Sequence, residues 1–505
     1  MKRLLYISII SVAALVASCR QGSERPMITD AEITVADNLH KLRFREGFED
    51  FELHFTANYD WRIKTEGKGF SVYPESGCSG EAAVTVHVSH DSSIDKATET
   101  GAFTIFIDNS NASYPVRIEQ MPGKSHGKTL IAWFFGTSLN SYLNNNLRCM
   151  QSAVNDEFPG DGNSLLIVKQ TSATSADIQE LYFDTESGEC QTITLDTVDL
   201  STDLTGESFG RYLTQTMDYA RAESYSAIFL GHSTAWLPDN PIAAVRAYGV
   251  VPGFVPSFEK APGAAETRTI GEYNVMLDID ELAEGLSSTG AKFDCLYFDV
   301  CFMASLEAAY QLRDNADWII GSPCEIMAYG TPYDTNIAAI LNGDYDAACK
   351  EFFRYYEEDY FYKSACMSAI DCSKLEALAD VVRRINATPA AEDFDYTEIQ
   401  KYEGRTNSGH IFYDAGHYFS RICDDEELLG EFRTALEECI PYSYHTDEFY
   451  SVYNARMNNI HHYSGVSVTP DEKCIETMEA DNVHKKMLQY YNPSLQQTDW
   501  YRDTH

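Results

Sequence analysis

Two apolar runs of strand length, each ending on a chemically reactive side chain, constrain this chain more than any other feature. Tyr225 to His232 reads YSAIFLGH, and Phe293 to Cys301 reads FDCLYFDVC. Runs that are continuously apolar, rather than alternating, mark strands covered on both faces, as in a parallel sheet flanked by helices. In an open α/β sheet the ligand crevice lies outside the carboxyl ends of the strands. His232 and Cys301 would both be delivered there. A thiolate is a strong nucleophile, and a neighbouring imidazole lowers its pKa and carries its proton. Gly231 permits a sharp turn, so backbone N–H groups of Gly231, Ser233 and Cys301 are candidates to hold an oxyanion. The stretch FMASLEAAYQL after Cys301 reads as a helix start, whose dipole favours a thiolate. With 13 Cys and 13 His in the chain, a structural Cys and a satisfied core His fit the same runs. Placement alone leaves both readings standing.

Similar runs recur around this pair. TLIAWFFG (129–136), SLLIVKQ (164–170), ELYFDT (180–185) and ADWIIGS (316–322) read as strands. Helical segments are expected over 139–154, 208–222 and 304–315. Alternation of the two predicts a three-layer α/β sandwich with a mainly parallel sheet over residues 129–505, ending in a mostly helical, Tyr-rich extension from about Asp344. Residues 248–272 are rich in Pro, Gly and Ala and read as a long loop.

The preceding 27–122 has a different period. Phe51, Leu53 and Phe55, then Val84, Val86 and Val88, then Phe103, Ile105 and Ile107 alternate in steps of two between turn signals. That pattern predicts an all-β, immunoglobulin-like sandwich. PGKSHGK marks a linker at 123–128. At the start, Lys2 and Arg3 precede an apolar run too short for an ordinary transmembrane helix, which fits a secretory signal over 1–18. Val16-Ala17-Ser18-Cys19 is similar to a bacterial lipobox. The similarity implies lipidation at Cys19, a tether over 19–26, and a secreted protein anchored by lipid in the cell envelope, at the outer membrane.

Composition narrows the function classes. Apolar content of 44% is that of a globular chain. Asp and Glu number 77 against 38 Lys and Arg, a net charge of −39. Such a charge argues against nucleic acid as a partner; it favours cationic ligands, or serves solubility alone. The cysteines show no CxxC spacing. DIDELAEG (278–285) lacks the remaining ligand positions of a calcium loop and reads as a helix start.

The stretches around the pair resemble the clostripain family of caspase-like cysteine peptidases. GHSTAW matches that family's His motif at His232 and Trp236. FDVCFMASLEAAYQL matches its Cys motif at Asp299, Cys301, Met303 and Glu307. ADWIIGSPCEIMAYGTPYD, SAIDCSKLEAL, FYDAGHYF and GVSVTP follow in the family's order. The resemblance implies a caspase-like fold and peptide hydrolysis after Arg or Lys by a His232/Cys301 dyad. It implies Asp299 as an acid for the basic side chain, and Glu325 as a second; Asp299 could instead serve nearby backbone. The chain departs from the family at Ser233, where Gly is usual, and at Cys324, which raises a pairing with Cys301. No cofactor is expected, although the resemblance allows calcium. YDWRI, SVYPESGCSGEAAVTVHV and VRIEQMP make 27–122 similar to BACON domains, which implies glycan or mucin as a ligand. A catalytically silent surface binding protein is the alternative reading.

Overall fold

The computed structural model describes residues 27–35, 40–44, 49–91, 93–94, 98–120, 127–155, 163–184, 187–200, 204–238, 263–265, 277–405 and 409–505. The expected signal, tether and Cys19 lie outside the described residues, as do most of the linker and most of 248–272. The chain divides into two compact units, Met1–Pro122 and Gly123–His505.

In the first unit the period-two runs form two sheets. One contains Ile33–Val35, Asp50–Ala57, Phe70–Tyr73 and Gly80–Val88; the other contains Lys41–Phe44, Trp61–Gly67, Ser76–Gly77, Thr98–Ile107 and Ser113–Gln120. Alternate side chains are buried, with Val84, Val86 and Val88 from one sheet and Phe103, Ile105 and Ile107 from the other. Trp61 joins the two sheets, its ring edge-on to Phe55 at 4.9 Å, and is only 2% exposed. It is a core residue, so it offers no surface platform for a sugar.

The second unit is built on one mixed sheet. Its strands are β1 (Lys128–Phe134), β2 (Ser164–Ser172), β3 (Ser175–Asp184), β4 (Glu189–Asp199), β5 (Ser224–Leu230), β6 (Phe293–Asp299), β7 (Ala316–Gly321), β8 (Cys366–Asp371) and β9 (Tyr442–His445). The spatial order is β4-β3-β2-β1-β5-β6-β7-β8-β9. The five central strands, β2 to β7 across the middle, are parallel. The two at each edge are antiparallel. The sheet is therefore mixed rather than mainly parallel. ELYFDT belongs to a hairpin, β3–β4, that folds back on β2. The region after Asp344 is less helical than its composition suggests, because β8 and β9 complete the sheet.

The apolar runs β1, β5 and β6 are buried along nearly their whole length, which places the core on both faces of the parallel centre. Helices α1 (Asn140–Ala153), α2 (Gly206–Tyr219), α3 (Ile279–Ser288) and α4 (Leu306–Gln311) lie between the strands in sequence. The backbones of α2 and α3 approach closely because glycines sit at their contact: a Cβ on Gly210 would lie 2.8 Å from Gly285 O. DIDELAEG is the start of α3, with Asp278 as its N-cap. Among the described residues no helix is long and apolar enough to cross a membrane.

Candidate active site

Strands β5 and β6 are adjacent and parallel, with Leu230 in register with Asp299. His232 and Cys301 therefore stand at the same step, two residues beyond a paired position, on neighbouring strands whose backbones run about 4.8 Å apart. Sequence runs that looked alike end side by side at the carboxyl edge of the sheet.

Local backbone geometry on both sides is strained. Gly231 has φ +150°, and a Cβ there would lie 2.9 Å from Phe135 O. Only glycine fits that conformation and that approach. After His232 the chain closes a tight turn, with Ala235 N–H donating to Ser233 Oγ at 2.9 Å and Ala235 at φ +57°. Phe302, directly after Cys301, has φ +64°, an unusual conformation for a bulky residue. Its N–H donates to Cys324 O at 3.1 Å, and its ring stacks on Phe412 at 4.5 Å. Strained backbone of this kind concentrates at functional sites.

His232 is half-buried, and its Nε2 lies 3.2 Å from Ser138 Oγ. Cys301 is fully buried. Ile326 N–H donates to Cys301 Sγ at 3.1 Å, and the thiol faces Ile326 O at 3.8 Å. The segment after β7 thus lies over the Cys301 sulfur. Neither Ser138 nor Ile326 carries a signal in the sequence: Ser138 is one hydroxyl in a loop, and Ile326 acts through its main chain.

Both acids expected to meet a basic side chain are buried. Asp299 is fully buried; its Oδ2 accepts Tyr333 O–H at 2.7 Å and Thr331 N–H at 3.1 Å. Glu325 is 2% exposed and accepts Val452 N–H at 3.0 Å. Burial pushes its carboxyl up to about 7. Nearby, Glu403 and Arg405 form a buried ion pair, with the guanidinium 3.9 Å from the Tyr453 ring centre. In this state Asp299 and Glu325 hold the covering segment rather than face solvent.

Three of the sequence stretches converge on one residue. Trp236 Nε1–H donates to Thr469 Oγ1 at 3.1 Å, and Thr469 N–H donates to Glu307 at 2.6 Å. Ser467 N–H donates to Ala304 O at 2.8 Å. GVSVTP therefore ties the turn after His232 to the helix after Cys301. Glu307 is fully buried, and desolvation pushes its carboxyl up to about 7.

Beside His232 lies a cavity of about 70 Å³. Phe135, Phe229, Leu237, Leu282, Phe298 and Met303 line it, with His232 and Ser233 at its polar side. Among the described residues no group of three or more His, Cys, Asp or Glu is placed to hold a metal ion. The acids of DIDELAEG cap and open α3. Cys301 is not in a disulfide. Cys324, considered as its partner, instead has its Sγ 3.3 Å from Cys366 Sγ.

The model of the clostripain family (peptidase C11) matches residues 265–504. A secreted C11 cysteine protease from Bacteroides thetaiotaomicron, "iotapain", is 26% identical with a TM-score of 0.63, over 75% of this chain and 100% of that one. An inactive zymogen C11 protease from Parabacteroides distasonis shares the fold at 24% identity and a TM-score of 0.61, over 76% of this chain and 99% of that one. A secreted C11 cysteine protease from B. thetaiotaomicron bound to an irreversible peptide inhibitor shares it at 22% and 0.58, over 75% and 98%. No curated protein sequence matches. The family model and these neighbours support a cysteine peptidase of the clostripain family.

Proposed function

We propose that this protein is a secreted, lipid-anchored endopeptidase that cleaves after Arg or Lys with His232 and Cys301 as its dyad. The observation that carries the reading is the matched position of the two residues at the ends of adjacent parallel strands. His232 takes the Cys301 proton as the sulfur attacks the substrate carbonyl carbon, and returns it to the leaving amine. The resulting thioester is hydrolysed by water, with His232 as base. Backbone N–H groups of Gly231, Ser233 and Cys301 stabilise the oxyanion.

Substrate access begins with displacement of Ile326 from Cys301. The same movement uncovers Asp299, which meets the basic side chain, with Glu325 as the second acid. A net charge of −39 draws cationic peptides toward the protein. The cavity beside His232 takes an apolar side chain flanking the scissile bond. For residues 27–122 we propose a tethering or glycan-binding role whose ligand contacts lie away from Trp61. Incubation with a positional library of fluorogenic peptides tests the reading. Cleavage confined to Arg or Lys, absent in Cys301→Ala, supports it; cleavage that ignores basic residues would refute the specificity.

A further inference from the structure

We propose that Cys324 and Cys366 form a disulfide that fastens the segment covering Cys301. Both side chains are buried, at 1% and 3% exposure, with their sulfurs 3.3 Å apart. This is closer than sulfurs that merely touch. To reach a bond of about 2.05 Å the sulfurs must close by about a further 1.3 Å. The backbone already brings the two residues together. Cys366 opens β8, which pairs with β7 through Gly321 and Ser368, and Cys324 lies just beyond the end of β7. Cys324 N–H donates to Ser322 Oγ at 3.1 Å, fixing the turn.

The consequence concerns Cys301. Cys324 O accepts the Phe302 N–H, and two residues later Ile326 N–H rests on the Cys301 sulfur. A bond to Cys366 anchors this segment to a strand of the central sheet, 42 residues away in sequence, and restricts its departure from the nucleophile. The oxidant is a protein or small-molecule disulfide. One cysteine thiolate attacks that disulfide and expels the first thiol. The second cysteine attacks the mixed disulfide and expels the other thiol. One S–S bond breaks, one forms, and the two cysteine protons end on the donor's thiols. Burial raises the Cys324 thiol pKa well above its ordinary value, so exchange takes place during folding, before the pair is enclosed.

The test uses the full chain refolded in a glutathione redox buffer, quenched with iodoacetamide, and mapped by mass spectrometry without reduction. A peptide joining Cys324 to Cys366 is expected. Alkylation of both thiols, or a Cys324–Cys301 linkage, overturns the proposal. The second measurement is the rate at which iodoacetamide modifies Cys301 in oxidised and reduced protein. Reduction should speed modification several-fold and lower the Tm by on the order of 5 °C. The Cys324→Ser/Cys366→Ser variant should label at the fast rate whatever the redox state. Equal rates in oxidised and reduced wild type overturn the fastening role. Linkage mapping is independent of peptidase activity, so the outcome is separable from the functional reading.

Discussion

Cys301 is held by its neighbours on both sides: a left-handed Phe302 after it and Ile326 N–H on its sulfur. The residues that position it are as informative as the thiol itself. Gly231→Ala would force a Cβ to 2.9 Å from Phe135 O at φ +150°. It should cost about 1–3 kcal/mol in urea unfolding, with activity falling further than stability because His232 is displaced. Glu307 gives a pH signature. Its carboxyl is raised from about 4.5 to about 7 by burial, so the folded state holds a proton that the unfolded state has released. The resulting stability is complete below about 4.5 and is lost as pH rises through about 7. The expected loss is about 3 kcal/mol by pH 8.5. Urea titrations at pH 5 and 8.5 should show a smaller loss in Glu307→Gln than in wild type. At this scale the sequence was legible where the main strands end: the adjacent placement of His232 and Cys301 followed from the apolar runs. Asp299 and Glu325 show its limit, because their residue type was readable while their burial under 326–333 depends on contacts far along the chain.

The strand elements explain what else could be read. β1, β5 and β6 are apolar on both faces, so periodicity identified them. β4 is a partly exposed edge strand of mixed polarity, and only pairing with β3 defines it. β8 and β9 come from a region whose local preference is helical, and join the sheet through long-range antiparallel contacts. GVSVTP was legible as a family stretch, but its purpose was not, which is to join the His and Cys motifs. Thr469→Val keeps the shape and removes the acceptor for Trp236 Nε1–H. Leaving that donor buried should cost about 1–3 kcal/mol. We expect kcat to fall while KM stays near the wild-type value, since the substitution shifts the catalytic turn rather than a substrate contact.

At the scale of the whole molecule, two independent cores imply two unfolding events. Calorimetry should resolve two transitions, and Trp61→Ala should shift only one of them, leaving peptidase activity in place. A single transition, or lost activity, would show that the units depend on each other. The acidic surface predicts that kcat/KM for Arg and Lys peptides falls as salt rises, because screening weakens long-range attraction.

The central claim is that His232 activates Cys301 for attack on a peptide carbonyl. The most direct measurement is intact-mass and peptide mapping after treatment with an Arg-bearing peptidyl chloromethyl ketone, in wild type, Cys301→Ala and His232→Ala. The account predicts one adduct per wild-type chain, on Cys301. It predicts none in Cys301→Ala and labelling slowed at least about 100-fold in His232→Ala. Adduct formation on another residue, or undiminished labelling of Cys301 without His232, would contradict it.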